Sequence, residues 1–345
     1  MLKVGVLGAT GYSGQELIRL LQGHREVCVK KILSESYPGW KFSFVYRNFA
    51  GLRDDVCEEL NWDTLTDGID VLFSALPYGV LMEHLTCDML QKVRLIDIGV
   101  DYRFMDREEY FRYYKKEHRS IELAKEFTYG LSEWNEAAIR KARHIANPGC
   151  YATAVQLALL PLIREDVIDT DIIADGKCAL SGAGRTLTVG THYVEANEST
   201  KVYKMNNHPH GLEAARGIRL FSGKNVKLTF TPHIVPMQRG MLITAYASLK
   251  NTADDGEIRR IYDGYYGGKP FIHLLDKGIY VETKWVKGSN MCHINFEINR
   301  DTNKLIVAAA IDNLVKGAAG QAIQNMNLMF GYPENTGLDF VPVCI

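Results

Sequence analysis

The sequence predicts an α/β fold that opens with a nucleotide-binding domain of Rossmann type, and three observations carry that expectation. A short apolar strand, Leu2 to Leu7, runs straight into Gly8-Ala9-Thr10-Gly11-Tyr12-Ser13-Gly14. Gln15 to Gln22 then places Leu17, Ile18, Leu20 and Leu21 at helical spacing before Gly23 supplies a stop. Further apolar runs of strand length, Val27–Leu33, Val71–Leu76 and Arg94–Gly99, alternate with polar or helical stretches. Such alternation is the pattern of a mostly parallel sheet with helices on both faces. At 345 residues the chain has room for a second domain with its own core.

The strand–glycine–helix order marks the phosphate-binding corner of that first domain. Glycines let the backbone approach a pyrophosphate, and the helix N-terminus offers free N–H groups and a positive dipole end. Gly8, Thr10, Gly11, Tyr12, Ser13 and Gly14 are the expected contacts, with Ala75 and Pro77 ending a later strand on the cofactor side. The spacing is G-x-x-G-x-x-G, so the plainer alternative is a tight turn that only packs helix on strand. After the second strand, Glu35 could hold a ribose 2′-hydroxyl. Ser34 and Ser36 flank it and, on an extended segment, would point together towards a 2′-phosphate. The pair leans to NADP.

Composition narrows the function classes. A hydrophobic fraction of 46% and a charged fraction of 23% are those of a globular protein, and a net charge of −1 gives no reason to expect nucleic acid or an anionic membrane. No run of ~18 apolar residues occurs, so a membrane span is not expected. Met1 to Val6 enters a strand directly without a signal-peptide pattern, and the expected location is the cytoplasm. Seven cysteines, at 28, 57, 87, 150, 178, 292 and 344, contain no C-x-x-C, and no metal site is expected.

The chemistry centres on Ala146-Asn147-Pro148-Gly149-Cys150-Tyr151, which follows a short apolar strand, His144–Ala146. Thr153 to Ile163 reads as a helix, which puts Cys150 at or just before its N-terminus. The helix dipole there favours thiolate over thiol, and Cys150 is read as a nucleophile. Cys28 and Cys178 lie within apolar strands and read as small buried hydrophobes. A thiolate needs an acid–base partner. Asn206-Asn207-His208-Pro209-His210-Gly211-Leu212-Glu213 offers two histidines, with metal ligation or a bland surface loop as the other readings. His210, next to a helix predicted over Glu213 to Arg219, is read as the acid–base group and His208 as a substrate contact. Ser181-Gly182-Ala183-Gly184-Arg185 is a glycine-rich turn with a cation, suited to a phosphate or carboxylate. Arg239, before the strand Met241–Leu249, and Arg103 are further cations for an acidic substrate.

These segments resemble the N-acetyl-gamma-glutamyl-phosphate reductase family of arginine biosynthesis across nearly the whole chain. The matching residues are Gly8–Gly14, Ile96–Arg103, Tyr129–Glu133, Ala146–Tyr151, Ser181–Arg185 and Ala309–Ala322. The resemblance implies a Rossmann domain over 1–150, completed by a helix over 312–330, and a substrate and oligomerisation domain over 151–311 with a mixed sheet. It also implies NADPH as cofactor, a homo-oligomer (dimer or tetramer), and an acyl phosphate reduced through a Cys150 thioester. Ser181, Gly182 and Gly184 are then expected to face the cofactor, and Asn147, Arg103, Arg185, Glu213 and Arg239 the substrate. The family commonly carries His-Arg-His followed by Pro-Glu, whereas this chain has His208-Pro209-His210, so another residue must do that arginine's work. Rival readings are aspartate-semialdehyde dehydrogenase, the lysine-biosynthesis reductase of a carrier-bound aminoadipyl phosphate, and a non-catalytic NADP sensor.

Overall fold

The structure, a computed structural model, describes residues 1–344. The chain forms two compact units, one from Met1–Pro148 with Ala318–Asp339, the other from Gly149–Gly317 with the tail beginning at Phe340. The chain passes to the second unit at Pro148/Gly149, so Cys150 belongs to the second unit rather than ending the first. The reason is local: the Gly149 N–H donates to the buried Glu213 carboxylate at 2.8 Å.

The first unit is built on six parallel strands, β1 (Leu2–Leu7), β2 (Val27–Leu33), β3 (Val71–Ser74), β4 (Arg94–Asp97), β5 (Phe127–Tyr129) and β6 (His144–Ala146), in the order β2-β1-β3-β4-β6-β5. The order reverses between β1 and β3, the switch point where open α/β sheets bind ligands at their carboxyl ends. Helix α1 (Tyr12–Leu21) follows β1 and buries Leu17, Ile18, Leu20 and Leu21, the residues its periodicity marks. The helix Gly320–Phe330 completes this unit with a face of buried amides. Its Asn325 donates to the Gly130 carbonyl and to Asn147 Oδ1, and accepts from Ser132.

The second unit carries a seven-stranded mixed sheet. Its strands are β7 (Ile168–Ala179), β8 (Lys201–Val202), β9 (Lys227–Val235), β10 (Met241–Leu249), β11 (Ile272–Leu274), β12 (Cys292–Asn299) and β13 (Lys304–Ile311), ordered β11-β12-β13-β10-β7-β9-β8. One face packs on α2 (Cys150–Arg164), which is buried from Tyr151 to Ile163, with α3 (Pro209–Ser222) against α2. The other face exposes Ile173 and Tyr246, which are register partners across β7 and β10. The expected helix 312–330 begins later, at Val315, with a π-helical turn that runs into the α-helix at Gly320. The Asp312 carboxylate takes the Leu314 and Val315 N–H groups, and a wide turn over Val315–Ala319 precedes Gly320.

Gly14 sets how closely α1 approaches β1, because a Cβ there would meet the Gly8 carbonyl oxygen and lie 2.7 Å from Ala9 Cα. Backbone cannot yield as a flexible side chain can. Gly14→Ala is therefore expected to destabilise the first unit by ~1–3 kcal/mol, read as a lower urea midpoint with unchanged slope.

Candidate active site

At the carboxyl ends of β1 and β3 the first unit holds a corner shaped for a dinucleotide. Gly8 has φ +76°, and a Cβ on it would lie 2.6 Å from the Ala75 carbonyl oxygen, so the two loops meet backbone to backbone. At Gly11, the residue before α1, an added Cβ would find nothing nearer than 3.4 Å. That open side lies at a helix N-terminus with Tyr12 and Ser13 part-exposed in the first turn, and it fits a pyrophosphate. Pro77 is exposed and Ala75 half-buried beside it.

Thr10 and Ser34 are not placed as the sequence predicts, whereas Ser36 is. β2 ends at Leu33, and the Ser34 N–H turns to the Glu58 carbonyl, so strand alternation stops there. Ser34 is buried, its hydroxyl 2.7 Å from that of Thr10 and accepting from the Tyr37 N–H, whereas Ser36 and Glu35 are exposed. Ser34 and Thr10 brace the corner. Ser36 is the serine left facing outward.

Arg103 lies near the end of β4, where its Nη2 donates to the Ile98 carbonyl at 2.7 Å. Asp97, which sequence reasoning did not single out, ends that strand. Its burial, and then the neighbouring Asp101, push its carboxyl up to about 7. Asn147 is a correction. It is fully buried, donates to the Ala318 carbonyl and accepts from Asn325, so its amide is a fastening within the first unit rather than a substrate contact.

The second unit assembles the reactive groups. Gly149 is the extended N-cap of α2, and Cys150 is the first helical residue, with the Tyr151 N–H directed at its sulfur. Cys178 and His210 also act on that sulfur. The Cys178 contact, then His210, holds the Cys150 thiol well below the usual range against the opposing effect of burial. Cys178 responds in the opposite sense: its proton is retained because Cys150 beside it carries the negative charge, and burial adds to this. Cys178 was read as a small buried hydrophobe; it is buried, and the end of β7 also brings it to the nucleophile.

The two histidines are separated in role by α3, which starts earlier than its periodicity predicts. His208 is its N-cap and Pro209 its first residue, so His210 lies inside the first turn. His208 Nδ1 accepts from the His210 N–H at 3.2 Å and its Nε2 lies 3.3 Å from the Tyr203 hydroxyl, which engages both ring nitrogens. Burial, and then His210, lower its pKa to about 2. His208 is a neutral capping group rather than a substrate contact. His210 reaches Cys150, and its Nδ1 is buried without a hydrogen-bond partner among the described residues. Glu213 likewise departs from the expected substrate contact, since its buried carboxylate receives the Gly149 N–H and fixes the turn before Cys150.

The two anion loops meet through residues assigned no role from the sequence. Asn313 donates to Ser181 Oγ at 2.9 Å and accepts from the Gly240 N–H at 2.9 Å, so it ties the Ser181–Arg185 turn to the Arg239 loop. Asp312 holds Arg239 Nη1 at 3.3 Å and accepts the Gly288 N–H. Gly182 lies over the Cys178 sulfur, which brings this turn, with exposed Gly184 and part-exposed Arg185, to the thiol pair. The signal available was the Asp312-Asn313-Leu314-Val315-Lys316-Gly317 run itself. Among the described residues no group of three or more His, Cys, Asp or Glu is arranged to hold a metal.

Comparison with known proteins places this geometry. Residues 3–142 match a family model described as the NAD-binding domain of semialdehyde dehydrogenase, and residues 150–313 one described as its dimerisation domain. The N-acetyl-gamma-glutamyl-phosphate reductase of Lachnoclostridium phytofermentans is 47% identical over 99% of both chains. That of Moorella thermoacetica is 44% identical over 100% of both. The chain belongs to the N-acetyl-gamma-glutamyl-phosphate reductase family. Solved structures of aspartate semialdehyde dehydrogenase share the fold of this reductase family. The second isoform from Vibrio cholerae superposes with TM-score 0.71 at 16% identity, covering 96% of this chain and 99% of that one. The Candida albicans enzyme with NADP gives 0.71 at 15%, covering 97% and 99%. No helix among the described residues is long and apolar enough to cross a membrane.

The His208 geometry has a pH signature. Its folded pKa lies below the 6.5 of a free histidine, so as pH falls below 6.5 the unfolded chain binds a proton that the folded one refuses. Its contribution is therefore present above pH 6.5 and lost towards acid, by at most ~1.4 kcal/mol per pH unit and less because the ring is part-exposed. Urea unfolding at pH 7.5 and 5 is expected to show a smaller acid loss in His208→Gln than in the wild type.

Proposed function

We propose that this chain reduces N-acetyl-gamma-glutamyl phosphate to the corresponding semialdehyde and phosphate with NADPH, in the arginine pathway, through a thioester on Cys150. One observation carries this reading: a thiol at the N-terminus of α2, held towards thiolate by Cys178, His210 and the Tyr151 N–H. The names and near-complete coverage of the 44–47% identical relatives supply the substrate.

The Cys150 sulfur attacks the acyl-phosphate carbonyl, and phosphate leaves with the electron pair of the bond between the acyl carbon and the phosphate oxygen. NADPH, when bound, supplies the hydride that brings the acyl group to the aldehyde level. The glycine corner from Gly8 to Gly14 would hold its pyrophosphate, with Ser36 and not Ser34 offered to a 2′-phosphate. Ser181, Gly182 and Gly184 belong to the second unit, where their turn adjoins the thiol pair. His210 donates to the carbonyl oxygen as the tetrahedral adducts form and collapse. Its unpartnered Nδ1 is a group that a substrate oxygen would satisfy. Arg239, which pairs with Asp312, and Arg185 are the cations of the second unit that would do the work of the arginine relatives commonly carry between the histidines. Arg103 is a further candidate for the substrate's acidic groups.

We also infer a homo-oligomer formed through the open face of the seven-stranded sheet. Ile173, Tyr246 and Ile306 lie in one register row across β7, β10 and β13, within the span that matches a dimerisation domain. A cytoplasmic location suits the free thiols.

The direct test is a coupled assay in the reverse direction, with N-acetylglutamate semialdehyde, phosphate and NADP. Cys150→Ser is expected to remove turnover while retaining fold and NADPH binding, and more than a few per cent residual rate would exclude the thioester. His210→Asn is expected to lower kcat by ~10²-fold or more, whereas His208→Asn chiefly lowers stability. The reverse pattern would exchange their roles.

NADPH is expected to be preferred over NADH by at least about tenfold, the worth of one charge-assisted hydrogen bond. Ser36→Asp should erase most of that preference by placing a negative charge against the 2′-phosphate. Equal kcat/KM for both cofactors in the wild type would point to Glu35 on the ribose.

A further inference from the structure

The second unit holds two thiols against each other, and the function above uses only one. Cys150 opens α2 and is part-exposed, whereas Cys178 is buried at the end of β7. Gly176, two residues earlier on the same face of β7, lies against the Tyr151 ring, where a Cβ would come within 2.4 Å, so this face of β7 meets the start of α2 and each thiol acts on the ionisation of the other. Two glycines frame the pair. A Cβ on Gly182 would come within 2.8 Å of the Cys178 sulfur, and one on Gly317 within 2.6 Å of Cys150 Cβ. Larger residues at either place would push the thiols out of position.

Cys292, by contrast, is held away from Cys178 by position. Cys292 lies on β12, and the register row Cys178–Met241–Ile311–Cys292 puts it three strands from β7. At ~4.8 Å per strand that is about 14 Å, well beyond the ~7 Å limit on Cα separation for a disulfide.

We propose that Cys178 is a resolving thiol: oxidation of Cys150 by a hydroperoxide is captured as a reversible Cys150–Cys178 disulfide. The Cys150 thiolate attacks the peroxide oxygen, the O–O bond breaks, and sulfur loses two electrons to become a sulfenic acid as hydroxide leaves. The Cys178 sulfur then attacks the sulfenic sulfur. The S–S bond forms, and the hydroxyl departs as water with the Cys178 proton. A dithiol reverses the step by two exchanges and is itself oxidised. The electronic setting favours this sequence, because an activated thiolate is the group peroxides oxidise and a protonated thiol waits beside it. Without Cys178, further peroxide would carry Cys150 on to the irreversible sulfinic acid. Turnover would then stop for good rather than pause.

The proposal rests on Cys150 being the reactive thiol, not on which acyl phosphate it attacks. The experiment treats the full-length protein with hydrogen peroxide, blocks free thiols, and maps the peptides by mass before and after dithiothreitol. The expected result is a peptide pair joined through Cys150 and Cys178, with activity lost on oxidation and largely regained on reduction. In Cys178→Ser, scaled to its own starting rate, dithiothreitol should recover less than about a tenth, with Cys150 carrying two added oxygens. Free alkylation of Cys178 in the oxidised wild type, or equal recovery in variant and wild type, would overturn the proposal. The mapping needs neither turnover nor a variant. It therefore decides the matter even if Cys178→Ser folds poorly or the proposed reaction proves wrong.

Discussion

A negative charge must rest on a sulfur that the fold has partly removed from water, and much of the second unit is arranged around that constraint. Burial works against the Cys150 thiolate, as it does against any isolated charge. Three neighbours offset it: Cys178, His210 and the Tyr151 N–H. Each comes from a different element, β7, the first turn of α3 and the first turn of α2. The charge is stable only while those elements keep their mutual registration, so the packing of α2 and α3 on the sheet is part of the chemistry.

Several polar residues close to the reactive groups therefore serve as fasteners. Glu213 anchors the Gly149 N–H, and His208 caps the helix that carries His210. Asn313 ties the Ser181 turn to the Gly240 loop, and Asp312 collects Arg239 with three backbone N–H groups. In the first unit Ser34 and Thr10 do comparable work behind the glycine corner, and Asn325 holds Asn147. A buried polar group with all its partners inside the protein is rigid and costly to remove, yet has no valence left for a ligand. This is why composition near a site overcounts ligands. An amide or carboxylate beside a nucleophile has the same identity whether it faces the substrate or braces the loop.

Features that depend on neighbours in the chain were legible in the sequence, because their physics is local. The glycine corner follows from φ preferences and helix spacing between Leu2 and Gly23, and the placement of Cys150 at a helix start follows from Asn147-Pro148-Gly149. The parallel first sheet followed from alternation of strands and helices, and the strand Met241–Leu249 from its own run of residues. The tertiary structure decided everything that turns on who meets whom across long separations. Cys178 looks like any apolar strand residue, and only the meeting of β7 with α2 makes it a partner for Cys150. Ser34 and Ser36 look equivalent until the chain turns after Leu33 and buries one of them. Sequence records the chemistry each side chain can offer. Which of those offers is used inside the fold and which is left for a ligand depends on hydrogen-bond partners tens to hundreds of residues away, as with Asn147 and Asn325, and only the packed structure brings them together.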